Sequence, residues 1–264
     1  MAAGPLYCTY VDRSALRHLR IPDPTMPVAL ALQLREGTKK SHTMAENTGF
    51  VSCFLKGVVD KASYRTLVAD LFFVYSAMEE EIGRLRAEGH PVVGPVGFPE
   101  LNRRETLEQD LAYYFGDSWR SAVKATPAAQ EYVARIHQVG KDAPELLVGH
   151  HYTRYIGDLS GGQILKNIAQ KAMSLGEHDG LRFYEFDAIP DEKGFKTNYR
   201  ATPSRVWSRN PSQPWPHGRC TALTLIDLPC GTSGSRTRPC PSPSPSSCVK
   251  GPRSPTPWPR TPAS

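Results

Sequence analysis

Two short segments carry residue types and spacings that can do chemistry. In Thr38-Lys39-Lys40-Ser41-His42-Thr43-Met44-Ala45-Glu46-Asn47, His42 and Glu46 stand four residues apart, on one face if the segment is helical. A neutral imidazole binds iron through one ring nitrogen, and a carboxylate near the other nitrogen fixes its tautomer and tunes its basicity. A solvated His–Glu pair on a helix surface has the same spacing, so spacing alone leaves both readings open. In Tyr152-Thr153-Arg154-Tyr155-Ile156-Gly157-Asp158-Leu159-Ser160-Gly161-Gly162-Gln163, three glycines interrupt an otherwise strong helical pattern. Each costs a helix about 1 kcal/mol relative to alanine, which is tolerated where the backbone must kink or approach a ligand closely. Gly157 and Gly161 are one turn apart and open a notch without side chains, against which a flat macrocycle can lie. Asp158 beside it can order water. Tight helix–helix packing, or a simple break between two helices, accounts for the glycines on these residues alone just as well.

Other catalytic and metal patterns are missing. No His has a Glu three residues before it, so the Glu-x-x-His motif of di-iron bundles is absent, as is His-Glu-x-x-His. His150 and His151 are adjacent and diverge by about 100° on a helix, so they do not chelate one ion easily. There is no phosphate loop, no GxGxxG and no GxSxG.

The elements that must position these residues read as helix after helix. Leu67, Leu71, Val74, Met78, Ile82 and Leu85 recur at steps of three and four, the stripe of a long helix from roughly Ala62 to Ala87. Glu79, Glu80 and Glu81 within it read mostly as a solvated face. Leu107, Leu111 and Tyr114 mark a second helix. Pro127, a favoured first-turn residue, opens a third through Tyr132, Ile136 and Val139. A fourth begins near Pro144 and runs through Leu147, His150 and Tyr155 to about Ala172. A short one covers Asp191 to Arg200. Gly89–Pro99 is a Gly- and Pro-rich loop, and only Phe183-Tyr184-Glu185-Phe186 hints at a strand. The class is all-α.

The chain carries a net charge of +6 over 264 residues. From Ala201 onward there are eight Arg or Lys against one acid, Asp227, so the body is close to neutral and its charge does not mark a polyanion binder. The same tail holds fourteen of the 24 prolines, a composition read as disordered. Its four cysteines include no CxxC, and Cys53 stands alone in the body, which argues against a disulfide framework and for a reducing compartment. No stretch reaches the roughly 20 apolar residues of a membrane helix.

From Val28 to Arg200 the chain resembles the heme oxygenases. Leu34-Arg35-Glu36-Gly37-Thr38-Lys39-Lys40-Ser41-His42 with Ala45-Glu46-Asn47 looks like the family's proximal-histidine segment. Tyr75-Ser76-Ala77-Met78-Glu79-Glu80-Glu81, Leu107-Glu108-Gln109-Asp110-Leu111 and Pro144-Glu145-Leu146-Leu147-Val148 match further blocks, and Tyr152 through Gln163 looks like the distal-helix signature. The details are closest to the soluble type of photosynthetic microbes and plastids. The resemblance implies a single-domain multi-helix bundle over 26–200 with heme sandwiched between a proximal and a kinked distal helix. Heme would be both substrate and prosthetic group, cleaved with O2 and reductant to biliverdin, carbon monoxide and ferrous iron. His42 would ligate the iron with Glu46 as its partner. Gly157 and Gly161 would line the distal face, Asp158 would organise water there, and Arg154 and Tyr75 would stand behind it. Arg35, Tyr152, Lys196 and Arg200 would hold the propionates. Reduced ferredoxin is the implied electron donor, with no nucleic-acid partner and no membrane anchor, in plastid stroma or cytoplasm.

Three stretches depart from the family pattern. Gly149-His150-His151 stands where the family has Ala-His-Ala or Ala-His-Ser, which puts His151 at a pocket wall or the surface, with a swap to iron ligand as the alternative. The family continues into further helices after Arg200, whereas here residues 201–264 turn Pro- and Ser-rich. That makes a non-catalytic heme-binding or sensing protein the alternative function. Residues 1–25 form an N-terminal extension with few acids but not Ser-rich, read either as a transit peptide or as spurious upstream sequence.

Overall fold

The computed structural model describes residues 29–208. The extension over 1–25 and the tail beyond 208 lie outside the described residues. Within 29–208 every regular element is helical: α1 (Ala29–Glu46), α2 (Gly49–Leu55), α3 (Lys61–Ala87), α4 (Arg104–Phe115), α5 (Trp119–Ala122), α6 (Pro127–Asp142), α7 (Leu147–His151), α8 (Gly157–Met173) and α9 (Glu192–Ser208). None is long and apolar enough to cross a membrane.

The centre of the fold is α3. Asp60 starts it by accepting from the backbone N–H groups of Ala62 and Ser63, both at 2.9 Å, a side-chain N-cap. Because α4 and α6 flank it on two sides, α3 buries more than one stripe. Tyr64, Val68, Tyr75 and Ala77 are buried along with Val74, Met78, Ile82 and Leu85. The reading of Glu79–Glu81 as a solvated face fails for the same reason. Only Glu80 is exposed, Glu81 pairs with Arg84 and His137, and Glu79 turns inward. A second buried carboxylate on α3, Asp70, accepts from both the N–H and the hydroxyl of Thr126. Thr126 in turn caps α6 just ahead of Pro127, so α3 fixes where α6 begins.

Two expectations are corrected. Phe183–Phe186 is no strand; Arg182–Tyr184 forms a 3-10 turn, held by Asp110 of α4, which accepts from the N–H groups of Arg182 and Phe183 at 2.8 Å each. The last helix does not stop at Arg200 but runs on to Ser208, through Pro203. Proline deprives a helix of one hydrogen bond. Here Val206 packs on the core and Tyr199 is fully buried, and tertiary contact outweighs the local penalty.

The 182–186 turn is also held through Glu185. Its carboxylate meets Lys166 Nζ at 2.7 Å, His178 Nδ1 at 2.8 Å and Arg182 Nη1 at 2.6 Å. Burial would raise its pKa, but the bonds from Lys166, Arg182 and His178 prevail and hold it at about 2. A pKa depressed in the folded state adds stability above the unfolded value near 4.5, and this is lost as pH falls from there toward 2. Glu185→Gln should therefore melt below the wild type at pH 7. The gap should close as the pH is lowered through that window; a gap that persists at pH 2 would contradict this role.

Candidate active site

The glycine segment lies in a helix that never breaks. Between α7 and α8, residues Tyr152–Ile156 wind as a π-helix, and α8 continues directly from Gly157. The expected kink is thus one wide turn, which takes in an extra residue and re-aims the side chains around it, a form frequent at functional sites. Gly157 and Gly161 then follow on one face. A Cβ built on either would meet nothing within 4 Å, whereas one on Gly162 would come within 3.2 Å of the Tyr184 ring. The two kinds of glycine have different reasons: Gly162 permits close packing of the 182–184 turn, and Gly157 and Gly161 leave an open floor. The orphaned donors nearby point the same way. Arg154 Nε and Thr153 Oγ1 in the π turn, and Ser76 Oγ beside Tyr75, are buried without a protein partner, the condition that ordered water relieves.

Asp158 sits at the edge of this floor. The Tyr75 hydroxyl, 83 residues away in sequence, donates to its Oδ2. Arg154 lies over the Tyr75 ring, 5.5 Å from its centroid. Burial raises the Asp158 carboxyl to about 6, partly countered by Arg154, Tyr75 and Arg103. Tyr75 is buried and pushed well above its ordinary value by burial and by Asp158. It therefore stays a proton donor, clamped by the edges of Tyr155 and Phe183 at 5.1 and 5.3 Å.

Sequence reasoning missed the layer beneath. Glu79 accepts from the N–H groups of Arg103 and Arg104, and from the Tyr155 hydroxyl at 3.2 Å. It thereby serves the start of α4, where no side chain of the helix itself caps. Arg103 is buried, donates to the carbonyls of Leu101, Phe183 and Glu185, and stacks on Phe186 at 3.9 Å. An acidic triplet on a surface-like helix gave no signal that its first member faced inward.

On α1, His42 Nδ1 lies 3.4 Å from Glu46 Oε1, and the two side chains are 69% and 50% exposed. Among the described side chains of that helix, Leu34 and Ala45 are buried, whereas the imidazole stands on an open face. α1 rests on α9 and α2, and α2 on α8. Of the four residues matched to propionate binding, Arg35 and Arg200 are exposed, on α1 and α9. Lys196 donates to the Leu159 carbonyl at 3.2 Å and to Glu192 at 3.0 Å. Tyr152 is half-buried with its ring 6.2 Å from that of Tyr199. The structure gathers Tyr75, Arg154, Asp158, Gly157 and Gly161 at one place and brings Lys196 to α8 through Leu159, while His42 and Glu46 lie on a separate helix. His151 is neither at the surface nor open to a ligand: it is 2% exposed, its Nδ1 is 2.5 Å from the Tyr199 hydroxyl, and burial lowers its pKa to about 3.

The family model for heme oxygenase matches residues 28–206. The chain belongs to the heme oxygenase family. The relative named heme oxygenase 1 from the cyanobacterium Synechocystis is 64% identical over 176 residues, 66% of this chain and 72% of its own length. The red alga Porphyra purpurea has a heme oxygenase that is 57% identical over 176 residues, covering 67% and 74%. Among solved structures, heme oxygenase-1 of Synechocystis in complex with heme aligns with a TM-score of 0.64 at 55% identity, covering 76% of this chain and 85% of that one. Heme oxygenase-2 of the same organism, in complex with heme and NO, aligns with a TM-score of 0.65 at 40% identity, covering 76% and 78%.

Proposed function

We propose that this heme oxygenase cleaves heme to biliverdin, carbon monoxide and ferrous iron, with Asp158 directing protons and His42 holding the iron. The observation that carries this reading is a side-chain-free floor at Gly157 and Gly161 directly beside a part-buried carboxyl held by Tyr75. The bound macrocycle supplies the iron at which O2 is reduced and the ring that is oxidised. The chain supplies binding, orientation and proton delivery. Gly157 and Gly161 admit a flat group close to the backbone of α8. Tyr75 occupies Oδ2 of Asp158, and Oδ1 is the oxygen that would hold water and pass it a proton. A pKa raised to about 6 keeps both protonation states of Asp158 accessible, the condition for general acid–base work. Glu46 at Nδ1 of His42 leaves Nε2 as the ligating atom and favours the tautomer that frees it. Arg35, Tyr152, Lys196 and Arg200 pair with the propionates; Lys196 does so by giving up its bond to the Leu159 carbonyl. Reduced ferredoxin is the electron donor, and the setting is plastid stroma or the cytoplasm of a photosynthetic cell.

Hemin titrated into the protein, followed by reductant and oxygen, should give a Soret band that is replaced by bilin absorbance. A stable Soret band under those conditions would sink the catalytic reading and leave binding without turnover.

The floor has its own test. Gly161→Leu places a side chain in open space, so it should leave the melting temperature near wild type while lowering hemin affinity strongly. Gly162→Ala brings a Cβ within 3.2 Å of the Tyr184 ring, so its effect should fall on the melting temperature, as the shift forced on that ring set against about 1 kcal/mol of helix propensity, with affinity per folded molecule retained. If Gly161→Leu binds hemin like the wild type, the floor is not a binding surface.

A further inference from the structure

We propose that His151 is a positioning residue: by joining α9 to the helix that carries the glycine floor, it sets how heme is rotated in its pocket and so which meso carbon is oxidised. This rests on the heme-degrading reading above. Three observations carry it. First, His151 bridges the two elements. Its ring stacks on Tyr155 of the π turn at 4.2 Å and on Tyr199 of α9 at 5.5 Å, 8° from parallel, and Nδ1 meets the Tyr199 hydroxyl. Second, Tyr199 sits between Lys196, one turn before it, and Arg200, next to it. Any shift of Tyr199 moves the two cations available to the propionates. Third, Lys196 also ties α9 to α8 by donating to the Leu159 carbonyl, and that bond is given up when Lys196 turns to a carboxylate. The His151–Tyr199 contact uses no group that turns to the propionates, so it persists with ligand bound and holds the propionate edge in register with Asp158.

Tyr199 is boxed by Phe98 at 5.5 Å, a contact without directional hydrogen bonding. His151 and Tyr155 also border a cavity of about 60 Å³ shared with Glu79, Gly83, Arg86 and Asn102, so no other side chain fills the space beside the pair. A small residue at this position would enlarge that void and leave the Tyr199 hydroxyl buried without its partner.

The test compares wild type, His151→Ala and Tyr199→Phe, each loaded with hemin. Tyr199→Phe keeps the ring and removes only the hydroxyl, so it remains informative if His151→Ala folds poorly. The readouts are the ratio of heme seatings by proton NMR of the ferric complex, the bilin isomer ratio after turnover, and the melting temperature. The expected result is one dominant seating in the wild type and a second seating, with a second bilin isomer, grown severalfold in both variants, while hemin still binds. Variants that melt lower yet keep the wild-type seating and isomer ratios would overturn the proposal and leave His151 a packing residue. A wild type that binds no hemin would overturn the heme-degrading reading itself, a separate outcome.

Discussion

Replacing Asp158 with alanine should remove most bilin formation while leaving hemin binding nearly intact. The carboxyl is not placed to hold the iron or the propionates; it accepts from the Tyr75 hydroxyl. What the substitution removes is a proton-holding group with a pKa of about 6, and such groups contribute typically 10²–10⁴-fold in rate. Bilin yield per bound heme should fall by that order, with the hemin titration curve little moved. The folded pKa is raised above the ordinary 3.8, so ionising Asp158 costs stability as pH rises from about 4 to 6. Removing it should therefore not destabilise the protein at pH 7 through this group. If Asp158 only solvated the start of α8, the alanine variant would lose the 0.5–2 kcal/mol of a cap and keep its turnover per heme. Hemin affinity, bilin yield and melting temperature measured on one preparation separate the two cases.

The parts of this site that lie close together in sequence were legible from it. Gly157, Asp158 and Gly161 fall within five residues on one helix, and helical spacing alone places the carboxyl beside the notch. Leu67 through Leu85 likewise announces a long helix by its period. Long-range pairing was another matter. Nothing in periodicity joins Tyr75 to Asp158; only the resemblance to a family brought those blocks together. The π turn at Tyr152–Ile156 has no signature in residue type, and the glycines that suggested a kink stand just after it. Glu79 escaped notice because an acidic triplet reads as solvent-facing until two flanking helices cover α3. Proline-rich composition hid the last eight residues of α9, since Pro203 penalises a helix locally and only the contact of Val206 with the core offsets it. His151 shows the limit most directly. Adjacent histidines diverge on a helix, which correctly argued against chelation, but the partner of the second one, Tyr199, is 48 residues on, and only the fold shows it.

His42→Ala should give the other large loss, of a different kind: the hemin spectrum should change, hemin should still associate, and turnover should nearly vanish. The remaining described histidines are committed elsewhere. His90 Nδ1 accepts from Val92 and Val93 N–H groups, His137 is tied to Glu81 and His178 to Glu185, and His150 and His151 are buried against Tyr132 and Tyr199. Burial lowers the last two to about 4 and about 3, so they stay neutral, but their rings are enclosed. His42 has an exposed ring, and its Nδ1 faces a carboxylate. Its removal takes away the one protein bond to iron and leaves the apolar floor and the cations of α9 to hold the macrocycle. Loss of an outer-shell partner typically costs 10–100-fold in affinity or activity, which sets the scale for Glu46→Gln. Half-exposed Glu46 belongs at the low end of that range, and His42→Ala should exceed its upper end in turnover. An alanine variant with an unchanged ferric spectrum would mean that another residue ligates the iron. His151 would then be the first to test, because freeing it from Tyr199 requires α9 to move, and Tyr199→Phe should make that easier.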